Sequence, residues 1–203
     1  FWNQLEISPI YDRDGSLLRY LGTQTDVTEK RRIRSARKQL LSTTRELLSA
    51  ETPEEIARIV SHAASSVLNH KFNVVYLDEE GSDAPEPVSW SESVERVLGA
   101  VPEARADGVA SEAIETGEPQ IYDDISAVTD RSSEEYEPIE SLLVLPLADR
   151  GAVVLGETSK GAFDESDIDL GQLLTVNAAV AFERTDRIQE LLEYETLFET
   201  VQD

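Results

Sequence analysis

Apolar and polar residues alternate strictly at the start of the chain and change to a helical period after residue 28. Leu5, Ile7 and Pro9 alternate with Gln4, Glu6 and Ser8, the pattern of a half-buried strand. Asp12-Arg13-Asp14-Gly15 supplies turn chemistry, with Gly15 free to take a positive φ, so Leu17 to Thr25 can pair back antiparallel. From Thr28 to Ala50 there is neither Pro nor Gly. Ile33, Ala36, Leu40, Thr43 and Leu47 recur at spacings of three and four, a short heptad seam diluted by Ala and Thr. The seam suits a parallel dimer contact or packing on the next domain.

Thr52-Pro53-Glu54-Glu55 then opens a second helix. Thr52 can cap it, Pro53 fits its first position and Glu55 can complete a capping box. Ile56, Ile59, Val60, Ala63, Ala64, Val67 and Leu68 mark one apolar face. The pattern further predicts a central strand at Phe72–Leu77, a strand at Glu86–Ser91, a short helix over Asp107–Thr116 ended by Gly117, and a short strand at Gln120–Asp123. Ser141–Leu147 and Ala152–Ser159 form the clearest hairpin, turned at Asp149-Arg150-Gly151. Asp164 caps a last helix through Leu173, Leu174, Val176, Ala179, Val180 and Phe182. Val180, Arg184, Ile188, Leu191 and Phe198 mark one side of its continuation. This order predicts an α+β domain around an antiparallel sheet, with long flanking helices.

Composition narrows the partners. The 203 residues carry 41 acidic and 18 basic side chains, a net charge of −23 spread along the chain. Spread acidity coats a folded surface and disfavours direct contact with nucleic acid. No apolar run is long enough to cross a bilayer, so no membrane contact is expected in this segment, and a cytoplasmic location is. With no Cys and two His, thiolate sites, covalently linked bilins and multi-histidine metal sites are excluded. The acid-rich, Lys-poor composition resembles that of proteins from extreme halophiles. Lys30, Arg31, Arg32, Arg34, Arg37 and Lys38 form the one basic cluster, read as a solvated helix face, with an electrostatic contact to the acidic surface of a neighbour or partner chain as the alternative.

Two families are resembled. The Asp-Gly turn, Gly22 and the triplet Asp26-Val27-Thr28 resemble the last hairpin of a PAS sensory domain and its exit into a signalling helix. The resemblance implies that Asp26 and Thr28 sit at the relay point, where either oxygen can cap the outgoing helix. The segments Thr52–Ile56, Thr116-Gly117-Glu118-Pro119 into Ile121-Tyr122-Asp123-Asp124, Ser141–Gly156 and Phe163–Asp167 resemble a GAF domain in the same order. That resemblance implies a sheet of about six strands, a small-molecule pocket on one face and helices that often dimerise on the other. It divides the chain into a truncated PAS hairpin (1–28), a linker helix (29–50), a GAF domain (38–185) and a C-terminal helix toward a further module (186–203). Tyr194–Val201 resembles the opening helix of another PAS domain.

Catalytic signatures are lacking. His62 reads as a helix-surface residue and His70 as a loop residue; no Gly-rich phosphate loop is present. Acid pairs such as Asp123-Asp124 and Glu134-Glu135 follow from the composition. Lys160, Phe163 and Asp167 fall near the cyclic-nucleotide signature of GAF domains, but Ile168 stands where Glu belongs, which disfavours that ligand. Haem lacks a placed axial ligand. The pocket candidates by position are Tyr76, Trp90, Val109, Ile114, Tyr122 and Leu145, with Ser126–Pro138 as a lid or a solvated loop. The expectation is a sensory fragment of a haloarchaeal histidine-kinase-like protein, a homodimer through its flanking helices, with a small-molecule ligand of unassigned identity. The alternatives are the sensor part of a PAS-GAF-helix-turn-helix transcription regulator, or a ligand-free dimerisation module.

Overall fold

The computed structural model describes residues 1–78, 81–127 and 137–201, with backbone alone from 193 onward. Residues 128–136 of the expected lid, with Glu134-Glu135, lie outside the described residues, as do the side chains of Tyr194–Val201. Contacts divide the chain into two units, Phe1–Lys38 and Gln39–Asp203.

In the first unit β1 (Asn3–Tyr11) pairs antiparallel with β2 (Leu17–Asp26), from Asn3↔Asp26 to Ile10↔Arg19. The Asp12 carboxylate closes the turn by accepting from the Asp14 and Ser16 amides, and Gly15 takes φ 83°. Leu5, Ile7, Leu18 and Tyr20 remain exposed. Helix α1 (Thr28–Leu47) begins in this unit and ends in the second. There its seam residues Leu40, Thr43 and Leu47 are buried within the single chain, so this part of the seam serves the domain's own core.

The second unit is built on a sheet in which β3 (Phe72–Leu77), β6 (Ser141–Pro146) and β7 (Gly151–Glu157) are apolar on both faces. With β4 (Glu86–Trp90) and β5 (Gln120–Tyr122) the order is β4-β3-β7-β6-β5, antiparallel throughout. The described sheet therefore has five strands, not six. Register decides which side chains share a face. Val75, Val153 and Leu145 lie in one rung and Val74, Val154 and Val144 in the next, so the two rungs face opposite ways.

On the Val75 face lie α2 (Pro53–Ser66) and α5 (Glu165–Val201). Thr52 Oγ1 accepts from the Glu55 amide, while the Glu55 carboxylate turns back to the Glu51 amide, a local box that starts α2 as its sequence predicts. Asp164 Oδ1 accepts from the Ser166 and Asp167 amides and starts α5. Leu170, Leu174, Ala178, Ala181 and Phe182 bury one side of α5. Arg184 Nη1 donates to the Ala50 carbonyl at 3.1 Å and ties α5 to the end of α1. Leu173, Val176, Val180, Ile188 and Leu191 are left exposed along the other side.

Two further helices, α3 (Glu92–Leu98) and α4 (Val109–Thr116), cover the Val74 face. The hydrophobic pattern did not predict α3, a seven-residue element with only Val94 buried. Both end in a left-handed glycine, Gly99 and Gly117, the second as expected.

His70 stands in the loop between α2 and β3, as its sequence position predicts, but it is buried there and acts as a clamp. Its Nδ1 lies 2.9 Å from Glu157 Oε1 on β7, and its Nε2 3.7 Å from Asp167 Oδ1 on α5. Its ring packs on Phe163, centroids 5.2 Å apart. Burial disfavours the imidazolium, but the hydrogen bonds and charges of Asp167 and Glu157 outweigh it, so the folded-state pKa lies above the ordinary 6.5. A proton is therefore held more tightly in the folded than in the unfolded chain. The stabilisation is fully present below the unfolded value of about 6.5 and is lost as pH rises through the raised folded value. Thermal melts across that window should show the wild type losing stability with rising pH relative to His70→Gln; parallel curves would contradict the clamp. Gly151 supplies a second test. A Cβ there would lie 2.0 Å from the Tyr76 carbonyl oxygen across the β3–β7 ladder. Gly151→Ala should cost about 2 kcal/mol in denaturant titration, because backbone must shift to admit it.

Candidate functional site

Short helices and irregular chain cannot cover a sheet face as closely as two long helices do. Between the Val74 face, α3, α4 and segment 99–108 a cavity of about 70 Å³ remains. Its floor is sheet, with Val74, Tyr76, Leu142 and Val154. Its roof includes Val94, Leu98, Val109 and Ala110, and Ile125 and Ile139 close one end. Gly156 belongs to the floor because a Cβ there would press on Ile139 Cγ2 at 3.1 Å.

Most polar groups around the cavity are engaged with the protein, and Glu103 adds one carboxylate to its lining. Tyr76 donates its phenol hydrogen to the Pro102 carbonyl at 2.8 Å, tying segment 99–108 down as a roof. Ser111 Oγ donates to the Arg105 carbonyl at 2.6 Å from α4. The Arg105 guanidinium is gripped by both oxygens of Asp107, at 2.9 and 3.1 Å. The lining is thus almost wholly apolar, and its one cation is already neutralised.

Of the six pocket candidates, Tyr76 and Val109 line this cavity. Ile114 and Tyr122 pack against the same cluster without reaching the space. The single Tyr122 phenol hydrogen is shared between Gln120 Oε1 and, at 3.3 Å, Glu112 Oε2; burial, with the Glu112 charge beside it, pushes its pKa up to about 12. Trp90 stands on edge strand β4, its indole donating to Glu95 at 3.0 Å, and borders a different cleft. Leu145 points to the opposite face, where it meets Gly171 of α5. The unbroken apolar run Leu142–Leu145 carries no alternation, so its facing could not be read from sequence. Val94, Leu98, Ala110 and Ile139 were missed. Their signal was weak: short elements with one or two apolar residues each.

The three residues near the cyclic-nucleotide signature are occupied elsewhere. Lys160 Nζ is 2.6 Å from Asp124 Oδ2; the pair raises the pKa of the lysine and lowers that of the aspartate. Phe163 and Asp167 belong to the His70 clamp. None lines the cavity. Among the described residues no group of His, Asp and Glu is arranged to hold a metal ion, and no helix is long and apolar enough to cross a membrane.

In the first unit, Asp26 and Thr28 stand where β2 hands over to α1. Asp26 Oδ1 accepts from the Thr28 amide at 2.8 Å, and Thr28 Oγ1 accepts from the Trp2 amide at 2.7 Å. The Thr28 hydroxyl and amide lower the pKa of Asp26. The Arg31 guanidinium lies 4.4 Å above the Trp2 ring, so strand start and helix start are fastened together.

The sequence that builds this sheet, its helices and the cavity is matched by a family model. The GAF domain model covers residues 50–183. The chain belongs to the GAF domain family. A GAF domain from a phosphoenolpyruvate-protein phosphotransferase of Coxiella burnetii superposes with a TM-score of 0.64 at 16% identity, covering 78% of this chain and 98% of that one. Free methionine-R-sulfoxide reductase of Neisseria meningitidis gives 0.63 at 16% identity, covering 77% and 93%. At such identities the likeness is one of fold.

Two curated relatives match in sequence. The blue-light-activated histidine kinase of Rhizobium johnstonii is 30% identical over 104 residues, 51% of this chain and 25% of the relative. The bacterioopsin transcriptional activator of Halobacterium salinarum is 60% identical over 30 residues, 15% of this chain and 4% of the relative. The GAF chain thus spans a quarter or less of either relative's length. Its family role is regulatory sensing.

The roof tether gives a direct test. Tyr76→Phe removes the bond to Pro102 and leaves that carbonyl without its phenol partner. It should cost about 1 kcal/mol of stability by urea titration and speed hydrogen exchange in segment 99–108.

Proposed function

We propose that this GAF domain is the sensory part of a histidine-kinase-like signalling protein of halophilic origin, and that its cavity takes a small, neutral, apolar ligand about the size of one aromatic ring. The observation that carries the reading is the apolar cavity whose one arginine is already paired with Asp107. An anion entering it would lose hydration and find no free cation, with the Glu103 carboxylate in the lining to repel it. An apolar one would replace poorly bonded water; at ~15 Å³ each, roughly five waters fit the space. The match to a histidine kinase supports the output, and the acidic surface supports the origin. A second reading of the output, as a transcription regulator, rests on the 30-residue match to a transcriptional activator alone.

In this reading the N-terminal hairpin is the end of a PAS domain, and Asp26 and Thr28 hold its junction with the signalling helix. The exposed stripe Leu173, Val176, Val180, Ile188 and Leu191 on α5 forms a homodimer contact. Ligand binding favours one arrangement of the flanking helices, and the dimer passes it on as a population shift.

Toluene and benzoate have nearly the same shape but differ in charge. Toluene should raise the melting temperature saturably, benzoate should not, and Ala110→Leu, which fills the cavity, should abolish the toluene effect. A benzoate effect equal to that of toluene would sink the neutral-ligand reading; no effect of either would leave the domain a ligand-free dimerisation module. For the dimer, light scattering in molar KCl should give twice the chain mass, falling to the monomer mass in Val180→Glu/Leu191→Glu.

A further inference from the structure

The domain holds a second concavity, at the edge strand β4, whose chemistry is opposite to that of the cavity. Residues 58, 61, 62 and 65 recur at helical spacing, so α2 presents Arg58, Ser61, His62 and Ser65 as one stripe. Facing them are Ser89 and Trp90 of β4, Lys71 ahead of β3, and Ser91, Ser93 and Arg96 at α3. The cleft between them measures about 420 Å³.

Its base is held rigidly. Asn73, 1% exposed, accepts from Ser61 Oγ at 2.6 Å, donates to Ser65 Oγ at 2.8 Å and donates to the His70 carbonyl at 3.1 Å. Ser91 Oγ accepts from the Asn73 amide at 3.3 Å and donates to the Lys71 carbonyl at 2.5 Å. These bonds link α2, β3 and the start of α3, so the rim side chains stand on a fixed frame.

The rim is cationic in a chain where acids outnumber bases 41 to 18. Arg58, Lys71 and Arg96 converge there, against one lining carboxylate, Glu92. Among the described residues neither Arg58 nor Lys71 has a carboxylate partner. Arg96 Nη2 donates to Ser93 Oγ at 2.9 Å, a neutral partner. On an acidic surface, unpaired cations gathered around one concavity focus an attractive field for an anion. The half-exposed indole of Trp90 stands beside them, anchored through its Nε1 to Glu95.

We propose that this cleft is a second ligand site of the domain, which takes a small organic phosphate carrying a planar ring. The phosphoryl group is held by Arg58, Lys71 and Arg96 through charge-assisted hydrogen bonds, with serine hydroxyls as further donors, and the ring stacks on Trp90. The proposal does not rest on the reading of the apolar cavity.

Adenosine 5′-monophosphate serves as the probe, with adenosine and inorganic phosphate as its two halves, all at constant KCl. Binding is followed by calorimetry and by the two tryptophan indole cross-peaks in a ¹H–¹⁵N spectrum, assigned with Trp2→Phe. The monophosphate should bind saturably, at least about tenfold more tightly than adenosine or phosphate, and should move the Trp90 peak and not that of Trp2. Arg58→Gln/Lys71→Gln, both at exposed side chains, should weaken it by roughly tenfold or more, and Trp90→Leu by roughly tenfold. Melting curves of the variants confirm the fold. The proposal is overturned if the monophosphate does no more than matched KCl, if the double variant binds it as the wild type does, or if adenosine binds as tightly.

Discussion

The sheet of the second unit can exist only if both of its faces are covered, and the rest of that unit follows from this constraint. The rung Val74–Val154–Val144 and the rung Val75–Val153–Leu145 are both apolar and face opposite ways. Exposing either would forfeit roughly 1.5–3 kcal/mol per large side chain. One face is served by the long helices α2 and α5, whose regular stripes close tightly on it. The other is served by two helices of seven and eight residues joined by irregular chain, and here packing falls short and the cavity remains. The cavity is thus a result of covering a sheet face with short pieces, held in shape by the Tyr76–Pro102 bond.

What could be read from sequence follows the range of the interactions involved. The start of α2 depends on Thr52 and Glu55, three residues apart, and was legible. So was the β6–β7 hairpin, whose turn lies between its strands. The His70 clamp joins residues 87 and 97 positions away, and no local pattern announces such a pairing. The direction of Leu145 was illegible because every neighbour in its strand is apolar. Helix α3 was missed because an edge element with one buried residue has no periodicity to detect. The polar cleft was missed for a related reason: Arg58, Lys71 and Arg96 are ordinary surface residues until three elements bring them together.

The molecule also separates its charges by task. Most carboxylates coat the surface, but Glu157 and Asp167 are drawn inward by one imidazole, and Asp107 grips Arg105 at the cavity roof. The His70 pair of acids fastens β7 and α5 to the loop before β3, while the Arg105–Asp107 pair stays within one segment. Salt has little access to the buried clamp and ready access to the surface, so ionic strength should act mainly on the outer coat.

Helix α5 starts at the His70–Asp167 contact and runs unbroken for 37 residues. At 1.5 Å per residue that is a rod about 55 Å long. Its first part is fixed by the burial of Leu170, Leu174, Ala178, Ala181 and Phe182 and by the Arg184–Ala50 bond, and residues 186–201 continue beyond as a lever arm about 24 Å long. A tilt of about 5° where that packing ends would carry the far end about 2 Å sideways. Geometry alone supplies that gain, whatever causes the tilt.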